Sequence, residues 1–216
     1  MLTIANAMAN QNMSTEFKKQ NSLEPRIVLI RHGRSAHVHR EGWIDAEGVR
    51  RWREAYDAAG VAQEDAPPLA LINHVARAHV IVASDLPRAT MSAHRLAPGR
   101  HIETSSLLRE TVLEIPAWLP LRWPLAAWAA FIHLQWGYQV LRGSDTPLEE
   151  QQRATAAADW LVARAQREAL IAAVTHGVFR RLLGRRLVAK GWRATSRRHS
   201  YRVWSAWEYV SPKQAA

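Results

Sequence analysis

RIVLIRHG, the sequence from Arg26 to Gly33, is the most informative stretch of the chain. Its first five residues form a short, largely β-branched run without polar alternation, which is typical of a strand buried on both faces of a sheet. Arg31, His32 and Gly33 follow at the carboxyl end of that strand, and a helix is expected after the glycine turn. Parallel sheets bind ligands at that end, so the pattern predicts a binding edge here.

The same alternation of strand and helix continues along the chain. We predict strands at 78–83, 100–104 and 170–174, and helices at 46–59, after Pro87 and at 178–188. The run 200–210 is predicted to be a last strand at a sheet edge. This order predicts the α/β class, with a three-layer α/β/α sandwich around a mainly parallel sheet.

Two segments depart from the alternation. Residues 112–164 contain four prolines, and four tryptophans lie between positions 118 and 136, which predicts a helical cap insertion over the active edge. Residues 1–24 are polar and lack the basic and apolar regions of a secretory signal, so they are predicted to be a disordered leader. Residues 25–216 are then expected to form a single domain.

Composition restricts the classes of function. The 216 residues are 48% hydrophobic and contain no cysteine, which excludes disulfide scaffolds and cysteine nucleophiles. The net charge of +10 favours anionic substrates, although it is carried almost wholly by arginine. The charge-free run 123–141 is interrupted by a proline and several polar residues, so we expect no transmembrane segment and a cytoplasmic protein.

Two predicted strands end in a histidine followed by a glycine, at His32-Gly33 and His176-Gly177. Arg31 precedes the first histidine, and Arg88 lies about one helical turn beyond a third strand end at Ser84-Asp85. The guanidinium fork matches phosphate oxygens, and helix amides after a glycine also bind anions. Two arginines and two histidines converging on one point therefore predict a bound dianion.

Four motifs, in order, resemble those of the histidine phosphatase superfamily, which includes cofactor-dependent phosphoglycerate mutases. They are Leu29-Ile30-Arg31-His32-Gly33-Arg34-Ser35, Ser84-Asp85-Leu86-Pro87-Arg88-Ala89-Thr90-Met91-Ser92-Ala93, Leu108-Arg109-Glu110 and Val174-Thr175-His176-Gly177. The resemblance covers most of the chain and implies the phosphoglycerate mutase-like fold.

The resemblance implies a role for each site residue. His32 would be the nucleophile that becomes phosphohistidine, while Arg31, Arg88 and His176 would hold the phosphoryl group. Glu110 would donate the proton to the leaving group, although Glu114, one helical turn later, is an alternative. A neutral imidazole attacks without a metal when fixed positive groups stabilise the phosphoryl oxygens, so we expect no cofactor and no metal.

The segment after Glu110 departs from the family pattern, because it lacks the usual glycine and the tryptophan-glutamate-glycine sequence. The asparagine usual after the first motif is also missing, although Gly42-Trp43-Ile44-Asp45 faintly resembles the mutases. We therefore favour a phosphomonoesterase that acts on a phosphorylated small molecule or a phosphoprotein, with a mutase-like phosphotransferase as the alternative.

Three other interpretations of the sequence are alternatives to a phosphatase. Residues 33–37 approach the nucleophile elbow of serine hydrolases, except that the last glycine is replaced by His37. A metal held by His32, His37 and His39 lacks an acidic ligand at a characteristic spacing. The stretch 180–202 has nine basic and no acidic residues, which would suit nucleic acid or an anionic surface, but a solvated face is favoured and nucleic acid is not an expected partner. These residues are Arg180, Arg181, Arg185, Arg186, Lys190, Arg193, Arg197, Arg198 and Arg202.

Overall fold

The computed structural model describes residues 24–37, 42–112, 115, 121–141, 147–195 and 200–212, with residues 139–141 described by their backbone alone. Nearly all of the predicted leader therefore lies outside the described residues. Glu114, His39, Arg197 and Arg198, which entered the predictions above, also lie outside them.

Eight strands form two sheets in the described part of the chain. They are β1 (Arg26–Arg31), β2 (Trp43–Ile44), β3 (Val80–Ser84), β4 (Glu103–Ser105), β5 (Trp123–Pro124), β6 (Leu170–Thr175), β7 (Arg193–Ala194) and β8 (Ala206–Val210). The main sheet has the order β4-β3-β6-β1-β8-β7, and β2 pairs with β5 separately. Strands β4, β3, β6 and β1 are parallel, whereas β8 and β7 are antiparallel additions.

Six α-helices are described, together with a 3₁₀ turn at Ser106–Leu108. The helices are α1 (Ala46–Ala58), α2 (Leu69–Ala76), α3 (Pro87–Leu96), α4 (Leu125–Leu141), α5 (Leu148–Glu168) and α6 (Gly177–Ala189). None of them combines the length and the apolar character needed to cross a membrane.

The two faces of the sheet bury alternate residues of β1. Ile27 and Leu29 pack with the apolar faces of α5 and α6, whereas Val28 and Ile30 pack with those of α2 and α3. Because both faces are covered, the strand needs apolar residues at every position, which explains the continuous run in its sequence. The α/β class and the mainly parallel sheet are thereby confirmed.

Three elements differ from the sequence-based expectations. Helix α2 was not predicted, and the last strand lies inside the sheet between β1 and β7 instead of at its edge. Within the predicted insertion 112–164, α4 packs through Trp128 against Ile44 and Val49. The following α5 places Ala154, Ala157 and other small residues in the main core, so it belongs to the sandwich itself.

Candidate active site

The register between β1 and β6 places the two strand-end histidines side by side. Arg31 pairs with Thr175, so His32 and His176 are the next residues on neighbouring parallel strands. The backbone amide of His32 donates to the Thr175 carbonyl at 3.0 Å. The two imidazole rings have centroids 5.0 Å apart, and both side chains are buried.

The surroundings of His32 fix its tautomer. Nδ1 lies 2.6 Å from the carbonyl oxygen of Gly33, which can only accept, so Nδ1 carries the proton and Nε2 carries a lone pair. Burial lowers the pKa of His32 to about 3, and the positive charges of Arg88, Arg31 and Arg180 act in the same direction. The imidazole is therefore neutral at neutral pH, with its lone pair on Nε2.

Arg88 connects this lone pair to α1. It lies in the first turn of α3, and its Nε donates to His32 Nε2 at 3.3 Å. Its Nη1 donates to the Tyr56 carbonyl at 3.1 Å, and its Nη2 pairs with Asp57 Oδ1 at 3.0 Å. Asp57 and Tyr56 thus hold a fully buried guanidinium with its Nε against the nucleophile candidate.

Arg31 enters the site from the end of β1. Its Nη1 donates to the backbone carbonyl of Tyr201, which belongs to the segment 200–205 before β8. A Cβ atom on Gly177 would lie 3.4 Å from the guanidinium carbon of Arg31, an ordinary contact distance, so this guanidinium lies directly beside the start of α6. The same segment accepts hydrogen bonds from Arg180, whose Nη1 and Nη2 donate to Ser205 O at 2.5 Å and Ser200 O at 2.9 Å.

Gly33 is a position that requires glycine, because the turn after β1 is tightly enclosed. A Cβ atom there would lie 2.7 Å from Asp65 Oδ2 and even closer to the indole of Trp204. The same carboxylate oxygen accepts from the Arg34 amide at 2.5 Å and from Trp204 Nε1 at 2.8 Å. The Gly33 amide donates to Ser92 Oγ at 2.9 Å, which ties the turn to α3.

The Glu110 carboxylate lies at the N-terminus of α6, directly after His176 and Gly177. Its Oε1 accepts from the amides of Phe179 at 2.8 Å and Thr111 at 3.0 Å. Among the described residues, its Oε2 accepts from the Val178 amide alone, at 3.3 Å. These amides fix the position of the carboxyl group, and Oε2 retains capacity for a further hydrogen bond.

Two arginines hold the backbone around Glu110. Arg109 makes a bidentate pair with Asp85, with distances of 2.7 and 2.6 Å, which links the second motif to the acidic segment. From α5, Arg153 Nη1 donates to the carbonyls of Leu107 at 3.0 Å and Arg109 at 2.7 Å. These contacts place Glu110 at the same edge of the sheet as His176.

Several buried nitrogens in this region have no hydrogen-bond acceptor among the described residues. They are Arg31 Nε, His176 Nδ1, His176 Nε2 and Arg180 Nε. Burial, followed by the charge of neighbouring groups, holds the pKa of His176 well below its usual value. Burial also lowers the pKa of Arg180 to about 10. Unpaired buried donors concentrated around two neutral imidazoles fit an anionic ligand.

The predicted residues Arg31, His32, Arg88, His176 and Glu110 lie at one edge of the sheet, whereas other residues of this region were not predicted. Tyr56, Asp57, Ser92 and Arg180 become evident only from tertiary contacts. For Arg180, the spacing of four residues from His176 was a usable signal, because it places both on one side of a helix. Its complete burial corrects its assignment to the solvated basic stretch.

The competing readings of the first motif have little structural support. Ser35 lies in an extended segment that pairs with Val61, not on a turn that leads into a helix, which argues against the nucleophile elbow. The His37 ring lies against Trp52, 5.9 Å away between centroids. Within the described ranges no three histidine, aspartate or glutamate side chains form a group that could hold a metal ion.

The remaining basic residues at 181–202 are only partly available to a polyanion. Arg186 donates to Gln151 at 3.1 Å and Lys190 pairs with Asp159 at 2.5 Å. Arg193 and Arg202 are exposed. The described part of the stretch therefore resembles an ordinary solvated face more than a continuous binding strip.

Known structures with similar folds include three phosphatases. Glucosyl-3-phosphoglycerate phosphatase from mycobacteria is 18% identical with a TM-score of 0.47, and the match covers 89% of this chain and 100% of that one. A phosphoserine phosphatase mutant from Entamoeba histolytica is 15% identical with a TM-score of 0.44, over 76% and 80% of the two chains. A putative α-ribazole-5′-phosphate phosphatase from Escherichia coli is 17% identical with a TM-score of 0.44, over 76% and 79%.

A search of curated proteins gave no match. A family model, in contrast, matches residues 27–209, which run from the first strand of the main sheet to its last. With this span, and with the four motifs in its order, the chain belongs to the histidine phosphatase superfamily, branch 1.

Proposed function

We propose that the protein is a metal-independent phosphomonoesterase that works through a phosphohistidine on His32. The observation that carries this proposal is a group of buried nitrogens on Arg31 and His176 for which the described residues offer no acceptor. They lie beside a neutral His32 whose Nε2 holds a lone pair. A phosphoryl group would supply acceptors for those donors and an electrophile for that lone pair.

In the first half of the proposed reaction, the lone pair of His32 Nε2 attacks phosphorus while the ester P–O bond breaks. The proton stays on Nδ1 and is donated to the Gly33 carbonyl, which stabilises the cationic character of the phosphorylated ring. The long hydrogen bond from Arg88 Nε moves from His32 to a phosphoryl oxygen, where it opposes the charge that develops. Glu110 gives its proton to the leaving oxygen.

In the second half, water attacks phosphorus from the side that the alcohol has left. Glu110, now a carboxylate, takes a proton from that water, and the P–N bond returns its electron pair to Nε2. Orthophosphate leaves and the starting state of His32 is restored. The guanidinium groups of Arg31 and Arg88 supply the positive charge throughout, and His176 supplies a neutral N–H donor. The proposed cycle therefore uses no metal, and treatment with EDTA should leave the rate unchanged.

Labelling with a ³²P-phosphomonoester, followed by an alkaline quench, tests the proposal. The wild type should retain alkali-stable, acid-labile label on the protein, as expected of a phosphoramidate. His32→Ala should lose both the label and turnover, because it removes the Nε2 lone pair that attacks phosphorus in the proposed reaction. His94→Ala is the matched control, since His94 is an exposed imidazole on α3, the helix that carries Arg88. Turnover of His32→Ala near the wild-type rate would refute the mechanism.

A further inference from the structure

An aromatic row lies beside the phosphoryl site and has no role in the reaction derived above. It consists of His37, Trp52 and Tyr56, each of which is half-buried. Trp52 and Tyr56 are one helical turn apart on α1, and their rings stack with centroids 5.1 Å apart and an interplanar angle of 23°. The His37 ring tilts against Trp52 at 5.9 Å.

The row begins at the proposed phosphoryl site. The Arg88 guanidinium, whose Nε meets His32, lies 4.4 Å from the centroid of the Tyr56 ring. Burial raises the pKa of the Tyr56 hydroxyl, Arg88 and Arg31 lower it, and Glu110 raises it again. The Tyr56 hydroxyl is therefore neutral at neutral pH.

Helix α1 is also fixed relative to the segment that carries Glu110. Arg53, next to Trp52, donates from Nη2 to the Thr111 carbonyl at 2.9 Å. The row and the Glu110 carboxylate thus flank the phosphoryl site in a set geometry. The leaving group of a bound ester must lie next to the acid that protonates it. The aromatic row is the surface beside that position.

We propose that the aromatic row binds the leaving group, and that the preferred substrates are phosphate esters of planar aromatic or conjugated alcohols. This inference rests on the proposed function. Aromatic rings bind planar groups in offset-stacked or edge-to-face arrangements. A planar group is therefore bound more tightly than an apolar group of the same size that is not planar.

Equilibrium binding of phosphonates tests the row separately from turnover. Phenylphosphonate, cyclohexylphosphonate, methylphosphonate and inorganic phosphate present the same anion with different appendages, and none is an ester that the enzyme could cleave. In the wild type, phenylphosphonate should bind about tenfold more tightly than methylphosphonate, and more tightly than cyclohexylphosphonate. Titration calorimetry measures each dissociation constant.

Trp52→Leu should reduce the preference for phenylphosphonate over methylphosphonate by roughly three- to tenfold, since leucine keeps the bulk and loses the ring. Trp52→Phe should keep most of the preference, and binding of methylphosphonate should stay within about twofold in both variants. Tyr138→Leu is the matched control, because Tyr138 is a partly exposed aromatic residue on α4. Circular dichroism establishes that each variant is folded.

Two results would overturn the inference. One is an unchanged phenyl preference in folded Trp52→Leu, and the other is equal binding of the phenyl and cyclohexyl compounds by the wild type. If Trp52→Leu does not fold, Trp52→Phe and the wild-type phenyl-to-cyclohexyl ratio still decide the question. Failure of inorganic phosphate and methylphosphonate to bind at all would instead count against the proposed function.

Discussion

Glu110 is the residue whose proposed role depends most on fine geometry. Its Oε1 accepts from the Phe179 amide of α6 and from the neighbouring Thr111 amide, and its Oε2, with one long contact to Val178 among the described residues, has capacity for a substrate. An acid held in this way can reach the leaving oxygen without moving its backbone. Its contribution should therefore depend on how much the leaving group needs a proton.

We predict that Glu110→Gln steepens the dependence of kcat/KM on leaving-group acidity. A series of ring-substituted phenyl phosphates keeps the contacts with the enzyme nearly constant while the acidity of the phenol varies. The loss should be small for nitrophenyl phosphate and should approach about 10²–10⁴-fold for poor leaving groups. Steady-state kinetics across the series measures the slope.

Glu114→Gln is the comparison variant for this prediction, and it should leave the slope unchanged. Reversed phenotypes would assign the acid to Glu114. An equal loss for every leaving group would show that Glu110 acts on water or on His32 instead. Thermal unfolding of Glu110→Gln should reveal a loss of about 1 kcal/mol, since the amide replaces one acceptor of the helix cap.

Residue identities at strand ends were predictable, whereas residues defined by tertiary contact were not. Arg31, His32 and His176 follow apolar runs, and topology alone then brings them to one edge. Tyr56 and Asp57 resemble any residues of an exposed amphipathic helix until α1 is placed over Arg88. Arg180 looked solvated because its neighbours are basic, yet it is buried beneath the segment 200–205.

Among the elements, α6 and the segment 200–205 form one unit that positions Arg31. Arg180 binds two carbonyls of the segment, and the Tyr201 carbonyl between them receives the Arg31 guanidinium. The guanidinium of Arg180 also lies 4.0 Å from the centroid of the Trp207 ring on β8. Arg180 therefore supports the site from behind, as a positioning residue.

We predict that Arg180→Met weakens competitive inhibition by inorganic phosphate by about tenfold or more, because the carbonyls of Ser200 and Ser205 lose their charged donor and the Tyr201 carbonyl that accepts from Arg31 is no longer held in place. KM should rise with the inhibition constant. Arg181→Met removes the same charge at the next position of α6 and should leave the inhibition constant nearly unchanged. If Arg180→Met lowers the melting temperature but leaves phosphate inhibition unchanged, Arg180 has a purely structural role and the prediction is wrong.

The strands that are buried on both faces were predicted correctly from the sequence. The elements whose position depends on neighbouring strands or helices were not. The runs that became β1, β3 and β6 need no context, since continuous apolar residues fit a covered parallel strand. The last strand alternates aromatic and polar residues. This pattern indicates which residues face the core but not which strands pair with it, so its place beside β1 was not evident. Helix α5 was assigned to the insertion because its alanines carry a weak signal of burial.

On the scale of the whole molecule, the buried imidazoles make stability depend on pH. The pKa of His32 is about 3 in the folded protein and about 6.5 in an unfolded chain. The unfolded state therefore binds more protons below pH 6.5, and stability falls as the pH is lowered from there towards 3. Between pH 7 and 5 the loss from His32 should be on the order of 2 kcal/mol, or about 4–8 °C in Tm.

Thermal unfolding between pH 7 and 5 measures this slope in a range above the titration of ordinary carboxylates. His32→Asn should flatten the slope, since asparagine does not titrate, whereas His94→Ala, which changes an exposed imidazole, should not. A wild-type Tm that stays constant over this range would contradict the buried, neutral state of His32. His176 should act in the same direction, because burial lowers its pKa as well.

The position of β1 in the sheet also has a consequence for synthesis on the ribosome. The strand that presents His32 lies between β6 and β8, and both of these partners come late in the chain. Its second edge is covered only when residues 206–210 emerge, about 180 residues after β1 itself. At about 5–20 residues per second that interval is roughly ten to forty seconds. During translation the apolar strand β1 therefore has unpaired edges for that time. We expect nascent chains of this protein to bind chaperones that shield unpaired strands.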